Sequence, residues 1–246
     1  MPESLALTRL LNHLFAGPVD SLLNLVGVHP KYPAAPITDP FALELLIAVI
    51  LIAFFIVVRA TLSVEKPAPV QQFAEMIYEF IGGQAEQIIG HGYERFQSFA
   101  TIIFLFILSC NLIGLIPGIN SPTELEKVTL ALAIATFVYY NFYGIKEQGL
   151  IGYLKHFAGP VWWLAWLLFP IEIISHLARI MSLSVRLYAN MFAGGLVTLV
   201  FFSLIPIGIP VAFLGLHLLV SVIQAFVFTL LVLIYLSLAV SHEAEA

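Results

Sequence analysis

Two long apolar segments near the C-terminus constrain the fold more than any other feature. They cover residues 162–205 and 211–240, and the turn-forming Pro206 and Pro210 lie at their junction. As helices rising 1.5 Å per residue they would extend roughly 66 and 45 Å. The hydrocarbon core of a bilayer is only about 30 Å thick. We therefore expect the two segments to form a long helical hairpin that lies steeply tilted in a membrane.

The rest of the sequence is consistent with a membrane protein. Hydrophobic residues make up 61% of the chain and charged residues only 10%, whereas soluble domains carry about 25% charged residues. The fold class expected is an all-α integral membrane protein with about five membrane helices, an N-terminal interfacial segment and an amphipathic surface helix. The expected segments are the N-terminal segment 1–40, a single membrane domain 41–246 with spans at 41–58, 99–116 and 128–143 before the hairpin, and the surface helix at 67–95.

Several classes of function lack the residues they need. The net charge is -5, and the basic residues do not cluster into a patch. We therefore expect no nucleic-acid partner. Cys110 is the single cysteine, which rules out an intrachain disulfide and a CxxC site. No HExxH motif occurs, and we expect no metal, no cofactor and no catalytic residues.

Polar residues nevertheless follow one face of the first hairpin segment. Glu172, His176, Arg179, Arg186 and Asn190 are spaced by 4, 3, 7 and 4 residues, which keeps them on one side of a helix. A central charge in a membrane helix costs at least about 2.5–3.5 kcal/mol. Such residues persist where they face a partner or a water-filled path, so this stripe is a candidate ion pathway.

The second hairpin segment carries a narrower stripe, formed by His217, Ser221 and Gln224 at steps of 4 and 3, with Tyr235 further along. His217 can relay protons because the unperturbed pKa of histidine is near 6.5. Gln224 and Asn190 could instead join helices through hydrogen bonds, and His217 could be a satisfied core histidine.

A purely structural interpretation also exists for part of the first stripe. His176 could bridge Glu172 and Arg179, so that these three groups only pair with one another. Arg186 fits this interpretation least, because no acidic residue lies within four positions of it. A scaffold would have no use for such a residue.

Several motifs resemble subunit a of F-type ATP synthases. The stretch Ser184-Val-Arg-Leu-Tyr-Ala-Asn-Met-Phe-Ala-Gly194 is similar to the signature of that family. The last segment matches the family through His217, Gln224-Ala-Phe-Val-Phe and Tyr235-Leu-Ser. Weaker similarities lie at Asn111, Pro117, Ser121-Pro122-Thr123 and Gly152-Tyr-Leu-Lys-His-Phe157. The resemblance covers roughly residues 40 to 240.

This resemblance implies a proton-translocating stator with two aqueous half-channels that reach a ring of c subunits. Arg186, with Ser182 nearby, would separate the half-channels and couple proton flow to ring rotation and ATP synthesis. The inner half-channel would be lined by Glu172, Ser175 and His176, and the outer one by Asn190, His217 and Gln224. The implied partners are the c-ring, the peripheral-stalk subunit b, membrane lipid and, indirectly, the F1 sector.

One departure from the family concerns the outer half-channel. Many relatives carry an acid five residues after the asparagine of the signature, and this chain has Gly195 there. Either His217 works with water alone, or another acid substitutes. Candidates are Glu44, Asp39 and Glu124.

The charges of the loops indicate the orientation of the chain in the membrane. With the N-terminus outside, inner loops hold five Lys or Arg residues and outer loops three, which favours a cytoplasmic C-terminus. Glu3 and the single Arg9 of the N-terminal region are unlike a mitochondrial transit peptide, so we expect a bacterial plasma membrane.

The alternative function is that of a secondary ion-coupled transporter, which should contain internal repeats that we do not find. A membrane-embedded enzyme would need a nucleophile paired with a base.

Overall fold

The computed structural model of the chain describes residues 5–25, 35–116, 118–158, 165–204 and 208–240. Within these ranges every regular element is helical, which confirms the predicted all-α class. The α-helices are α1 (Ala6–Leu25), α2 (Asp39–Ala60), α3 (Pro69–Ile89), α4 (Glu94–Ile113), α5 (Glu126–Ala158), α6 (Ala165–Leu204) and α7 (Ile209–Val240), and one 3₁₀ turn covers Pro122–Glu124. The proposed turns at Pro117 and Pro206 and the ends of the predicted 162–205 segment lie outside the described residues.

Five of these helices are long and apolar enough to cross a membrane: Asp39–Ala60, Glu94–Ile113, Glu126–Gly149, Trp166–Leu204 and Pro210–Val240. Helix α6 has 40 residues and α7 has 32, which correspond to roughly 60 and 48 Å. Both exceed the thickness of a bilayer core. An upright orientation would push their apolar ends into water, so tilting is the simplest accommodation.

The chain divides into two compact units, Met1–Ile56 and Val57–Ala246. In the first unit, Asn12 bonds reciprocally with the backbone of Ile37, at 2.9 Å to the carbonyl and 3.0 Å from the amide. Asp39 accepts a hydrogen bond from the Leu5 amide at 3.1 Å. These contacts join α1 to the start of α2 within this unit. Helices α3 to α7, described next, belong to the second unit.

Helix α3 confirms an amphipathic helix within the predicted 67–95, but it ends at Ile89, before Gly90 with φ of 76°, and Glu94 and Arg95 belong to α4. Ile81 is fully buried, the Tyr78 carbonyl accepts from Gln97 of α4 at 2.8 Å, and the Ile88 carbonyl accepts from Ser237 of α7 at 2.9 Å. Its other sides are exposed, one apolar and one acidic. The apolar side carries Val70, Phe73, Met76 and Phe80, and the acidic side carries Glu75, Glu79 and Glu86.

Helix α5 continues beyond the end that the sequence predicts for its span, 128–143. Gly144 remains helical, and the helical geometry breaks at Gly149, where φ is 70° and ψ is 159°. A single glycine costs a helix only about 1 kcal/mol relative to alanine. Packing next to Gly144 offsets that cost, because the rings of Tyr143 and Phe96 meet edge to face at 5.0 Å. The positive φ at Gly149 is a conformation that glycine adopts without steric penalty.

Candidate functional site

Arg186 lies on an exposed face of α6, about midway along the helix. Its Nη2 donates to Ser182 Oγ one turn earlier, at 3.4 Å. Among the residues that the structure describes, it makes no ion pair. Ser182 and Asn190, one turn to either side, are exposed on the same face, and the adjacent Met181 and Val185 are about half exposed. A permanent cation is therefore presented outward from the chain, between neutral polar and apolar side chains.

Nearer the N-terminus of α6, four side chains form a group that we call the N-terminal cluster: Glu172, His176, Arg179 and Tyr140. One oxygen of Glu172, Oε1, lies 3.4 Å from His176 Nε2 and 3.7 Å from Arg179 Nη2. The Tyr140 hydroxyl is 3.0 Å from His176 Nδ1. The sequence left open that His176 bridges Glu172 and Arg179, but Glu172 contacts both residues directly. His176 instead links the acid on α6 to Tyr140 of α5.

The N-terminal cluster is only partly closed to its surroundings. The side chains of Glu172 and Arg179 keep 28% and 26% of their exposure, whereas that of His176 keeps 9%. The Arg179 guanidinium lies 5.7 Å from the centre of the Tyr235 ring on α7, a distance suited to a cation–π contact. Ser175 is half-buried beside His176.

Beyond Arg186, helices α6 and α7 are joined by a polar pair. Asn190 Nδ2 donates to Gln224 Oε1 at 2.6 Å. Gln224 is 3% exposed, whereas Asn190 is exposed, so the pair extends from the interior of the hairpin to the Arg186 face. Ser221 is buried beside it, with its hydroxyl 3.9 Å from Met191 Sδ.

His217 lies one helical turn before Ser221 and is 4% exposed. Its Nε2 is buried and has no hydrogen-bond partner among the described residues. Gly194 makes this position possible, because a Cβ atom there would lie 3.2 Å from Cε1 and Nδ1 of the ring. An unsatisfied buried nitrogen costs about 1–3 kcal/mol, so this ring requires an explanation other than packing.

A buried hydrogen-bond network, here called the turn network, fixes the segment between α4 and α5. Ser121 Oγ donates to the Cys110 carbonyl at 2.7 Å and lies 2.6 Å from Thr123 Oγ1. Thr123 Oγ1 donates to Asn111 Oδ1 at 2.7 Å. Asn111 Nδ2 in turn donates to the Ser221 carbonyl of α7 at 3.2 Å. The turn is thereby tied to both α4 and α7.

Replacing Thr123 with valine is expected to lower the free energy of unfolding by about 1–3 kcal/mol. The substitution keeps the shape of the side chain but leaves Asn111 Oδ1 buried without its donor. The matched control is Thr61→Val, because the exposed Thr61 hydroxyl, just after α2, bonds among the described residues to the carbonyls of Val57 and Val58 in the last turns of that helix. Thermal unfolding of the purified protein in detergent measures both. Equal shifts for the two variants would contradict a stabilising role for the turn network.

The sequence singled out eight residues, and the structure distributes them over three places. Glu172, Ser175 and His176 lie together, Arg186 lies beside Ser182, and Asn190 pairs with Gln224 while His217 lies a few turns along α7. The sequence did not predict the turn network, although Asn111, Ser121 and Thr123 are among the residues that resemble the family. In the part of the chain that the structure describes, no group of three or more His, Cys, Asp or Glu residues could hold a metal ion.

A family model described as ATP synthase A chain matches residues 41–237. The chain belongs to the ATP synthase subunit a family. Proteins named ATP synthase subunit a from Koribacter versatilis and Solibacter usitatus are 50% and 43% identical to it, over 98% and 95% of this chain and 99% and 100% of theirs. A protein of the same name from Helicobacter hepaticus is 42% identical over 80% of this chain and 89% of its own length.

Family membership and helix composition together make this a multi-pass membrane protein of the proton-translocating Fo sector of ATP synthase. The matched region covers α2 to α7 almost completely and includes the Arg186 face, the N-terminal cluster and the turn network. The resemblance that the sequence motifs indicate is thus confirmed at the level of the family.

Proposed function

We propose that this chain is the stator that passes protons to and from the carboxylates of a c-ring through two half-channels, with Arg186 separating them. The observation that carries the proposal is the position of Arg186. It is exposed on α6, and its described polar contact is the neutral Ser182. A membrane helix retains such a cation where a partner supplies the counter-charge.

The chemistry of arginine suits this role. Its guanidinium stays protonated in any protein environment. A fixed cation lowers the pKa of a carboxyl group that passes close to it and so favours the ionised form. A carboxylate of the ring must therefore release its proton on one side of Arg186 and take up another beyond it. The same charge repels a proton that would cross directly.

The polar groups on either side of Arg186 would line the half-channels. Glu172, Ser175 and His176 would serve the inner one, where the Glu172 side chain stays 28% exposed. The outer one would be lined by Asn190, Gln224 and His217, and the Asn190–Gln224 pair would bring it to the Arg186 face.

Coupling then follows from the rotation of the ring. A proton that moves down the gradient releases about 2.3 kcal/mol per 100 mV, and rotation delivers this energy to catalytic sites in the F1 sector. The chain itself would catalyse no reaction. Subunit b of the peripheral stalk would hold it still. We place the protein in a bacterial plasma membrane, with the N-terminus outside and the C-terminus in the cytoplasm.

A reconstitution experiment distinguishes the stator from a secondary transporter. The purified chain in liposomes should give no proton flux under an applied membrane potential, because the carrier carboxylate belongs to another subunit. Addition of the c-ring and subunit b to the same preparation should produce flux, which also proves that the chain is folded. Flux from the chain alone would favour the transporter and overturn the proposal.

A further inference from the structure

A cavity of about 380 Å³ lies where the turn after α4 meets α6 and α7. Its polar lining comes from Asn120, Glu124, Thr198 and His217, with Gly195 on the α6 side. One water molecule needs only about 10–15 Å³ of such space and two to four polar partners. The cavity can therefore hold a connected group of waters between an acid and an imidazole.

The Glu124 carboxyl occupies the space that a side chain at position 195 would fill. A Cβ atom on Gly195 would lie 2.6 Å from Glu124 Oε1, and a Cβ atom on the adjacent Gly194 would lie 3.2 Å from the His217 ring. Two neighbouring glycines thus admit a carboxyl group and an imidazole to adjacent positions on the surface of α6.

His217 supplies a second, independent observation that points to water or a proton donor in this cavity. The residue is 4% exposed, lines the cavity, and has a buried Nε2 without a partner among the described residues. A buried ring nitrogen of this kind is stabilised by water or by a proton donor that reaches it. Glu124 is the carboxyl-bearing residue in the lining of the same cavity.

We propose that Glu124 is the proton-relaying carboxyl group of the outer half-channel and exchanges protons with His217 through water in this cavity. The inference rests on the stator function proposed above. The carboxylate takes a proton from water on the outer side and becomes a neutral acid. It then releases that proton through cavity water to the neutral imidazole of His217, which passes it toward Asn190 and returns to its neutral form.

The turn network holds the acid in place although it lies on a short turn. Ser121 immediately precedes the 3₁₀ turn that ends at Glu124, Thr123 lies within it, and both are bonded to α4. The Glu124 amide donates to the Ser121 carbonyl at 3.0 Å. Because Asn111 ties the same network to α7, the carboxyl is positioned relative to the helix that carries His217.

The environment of Glu124 also suits reversible protonation. Burial raises the pKa of its carboxyl, and a hydrogen bond from the Ser121 backbone partly opposes that shift. A relay group is most efficient when its pKa is close to the working pH. The other acids considered from the sequence are Asp39 and Glu44. Asp39 is engaged by the Leu5 amide.

The test moves the carboxyl group from the turn to α6 in the complete ATP synthase and measures ATP-driven proton pumping in inverted membrane vesicles. Glu124→Ala should reduce the pumping rate at least about tenfold, since a positioned acid or base contributes about 100- to 10,000-fold. The double variant Glu124→Ala with Gly195→Glu should restore at least about a third of the rate. The double variant with Gly195→Gln, which has the same shape without an acid, should not.

Two controls define the outcome. Glu126→Ala changes an exposed acid two residues away and should pump normally, and co-purification with the other subunits verifies assembly of every variant. Normal pumping by Glu124→Ala would overturn the inference, as would an assembled double variant that Gly195→Glu rescues no better than Gly195→Gln. Arg186→Ala, measured in parallel, separates the proposals: if it alone is inactive, the stator function stands and the role of Glu124 fails.

Discussion

Replacing Arg186 with alanine is expected to abolish ATP-driven proton pumping and ATP synthesis while the ATP synthase still assembles. Without the guanidinium, nothing forces a passing carboxyl group to ionise, and the two half-channels are no longer separated by a positive charge. Assembly should survive because Arg186 is exposed and, in the part of the chain that the structure describes, donates only a 3.4 Å contact to Ser182 of its own helix.

Inverted membrane vesicles that carry the variant or the wild type provide the measurement, with assembly verified by co-purification. The control is Arg59→Ala, which removes an exposed arginine from the last turn of α2 and should leave pumping close to the wild-type rate. An assembled Arg186→Ala enzyme that pumps normally would show that this chain is not a stator of the kind proposed.

Replacing His217 with alanine is expected to slow proton flux by about 10- to 100-fold. His217 is the buried imidazole in the cavity that also contains Glu124. A positioned proton-transfer group contributes about 100- to 10,000-fold, and water in the cavity would replace part of that contribution. The uncoupled proton conductance of the Fo sector after removal of F1 measures this step directly, because it does not depend on catalysis.

Ser221→Ala is the matched control for His217→Ala. Ser221 lies one turn further along the same side of α7 and is also buried, but among the described residues its hydroxyl contacts only the Met191 sulfur, at 3.9 Å. Its carbonyl, which accepts from Asn111, is unchanged by the substitution. Similar and negligible effects of the two substitutions would remove His217 from the proton path.

Hydropathy and helical periodicity are sufficient to predict the fold class, because lipid requires every backbone group to bond within a helix. The over-long α6 and α7 and the position of Arg186 on the polar face of a membrane helix follow from the same reasoning. Helix ends are harder to predict. The propensity of one glycine is a weak signal, and packing of Tyr143 against Phe96 carries α5 past Gly144 to Gly149.

The partners of the polar residues could not be predicted, because they depend on contacts between helices. Spacing placed His176 near Glu172 but could not foresee Tyr140, which is 36 residues away in the chain. It also could not choose among three acids as the replacement at Gly195. The proposal of Glu124 depends on the position of the turn after α4, which is held by the hydrogen bonds of Asn111 with Thr123 and with the Ser221 carbonyl.

The uncovered face of α6 has a consequence for how much of this protein a cell can hold. A newly inserted chain presents Arg186 outward, at a cost of at least about 2.5–3.5 kcal/mol if the residue meets lipid near the bilayer centre. A partner that supplies the counter-charge removes this cost. Surplus chains would remain the less stable species and the natural target of membrane proteases. The abundance of the subunit would then be set by the supply of its partner, without a dedicated regulator.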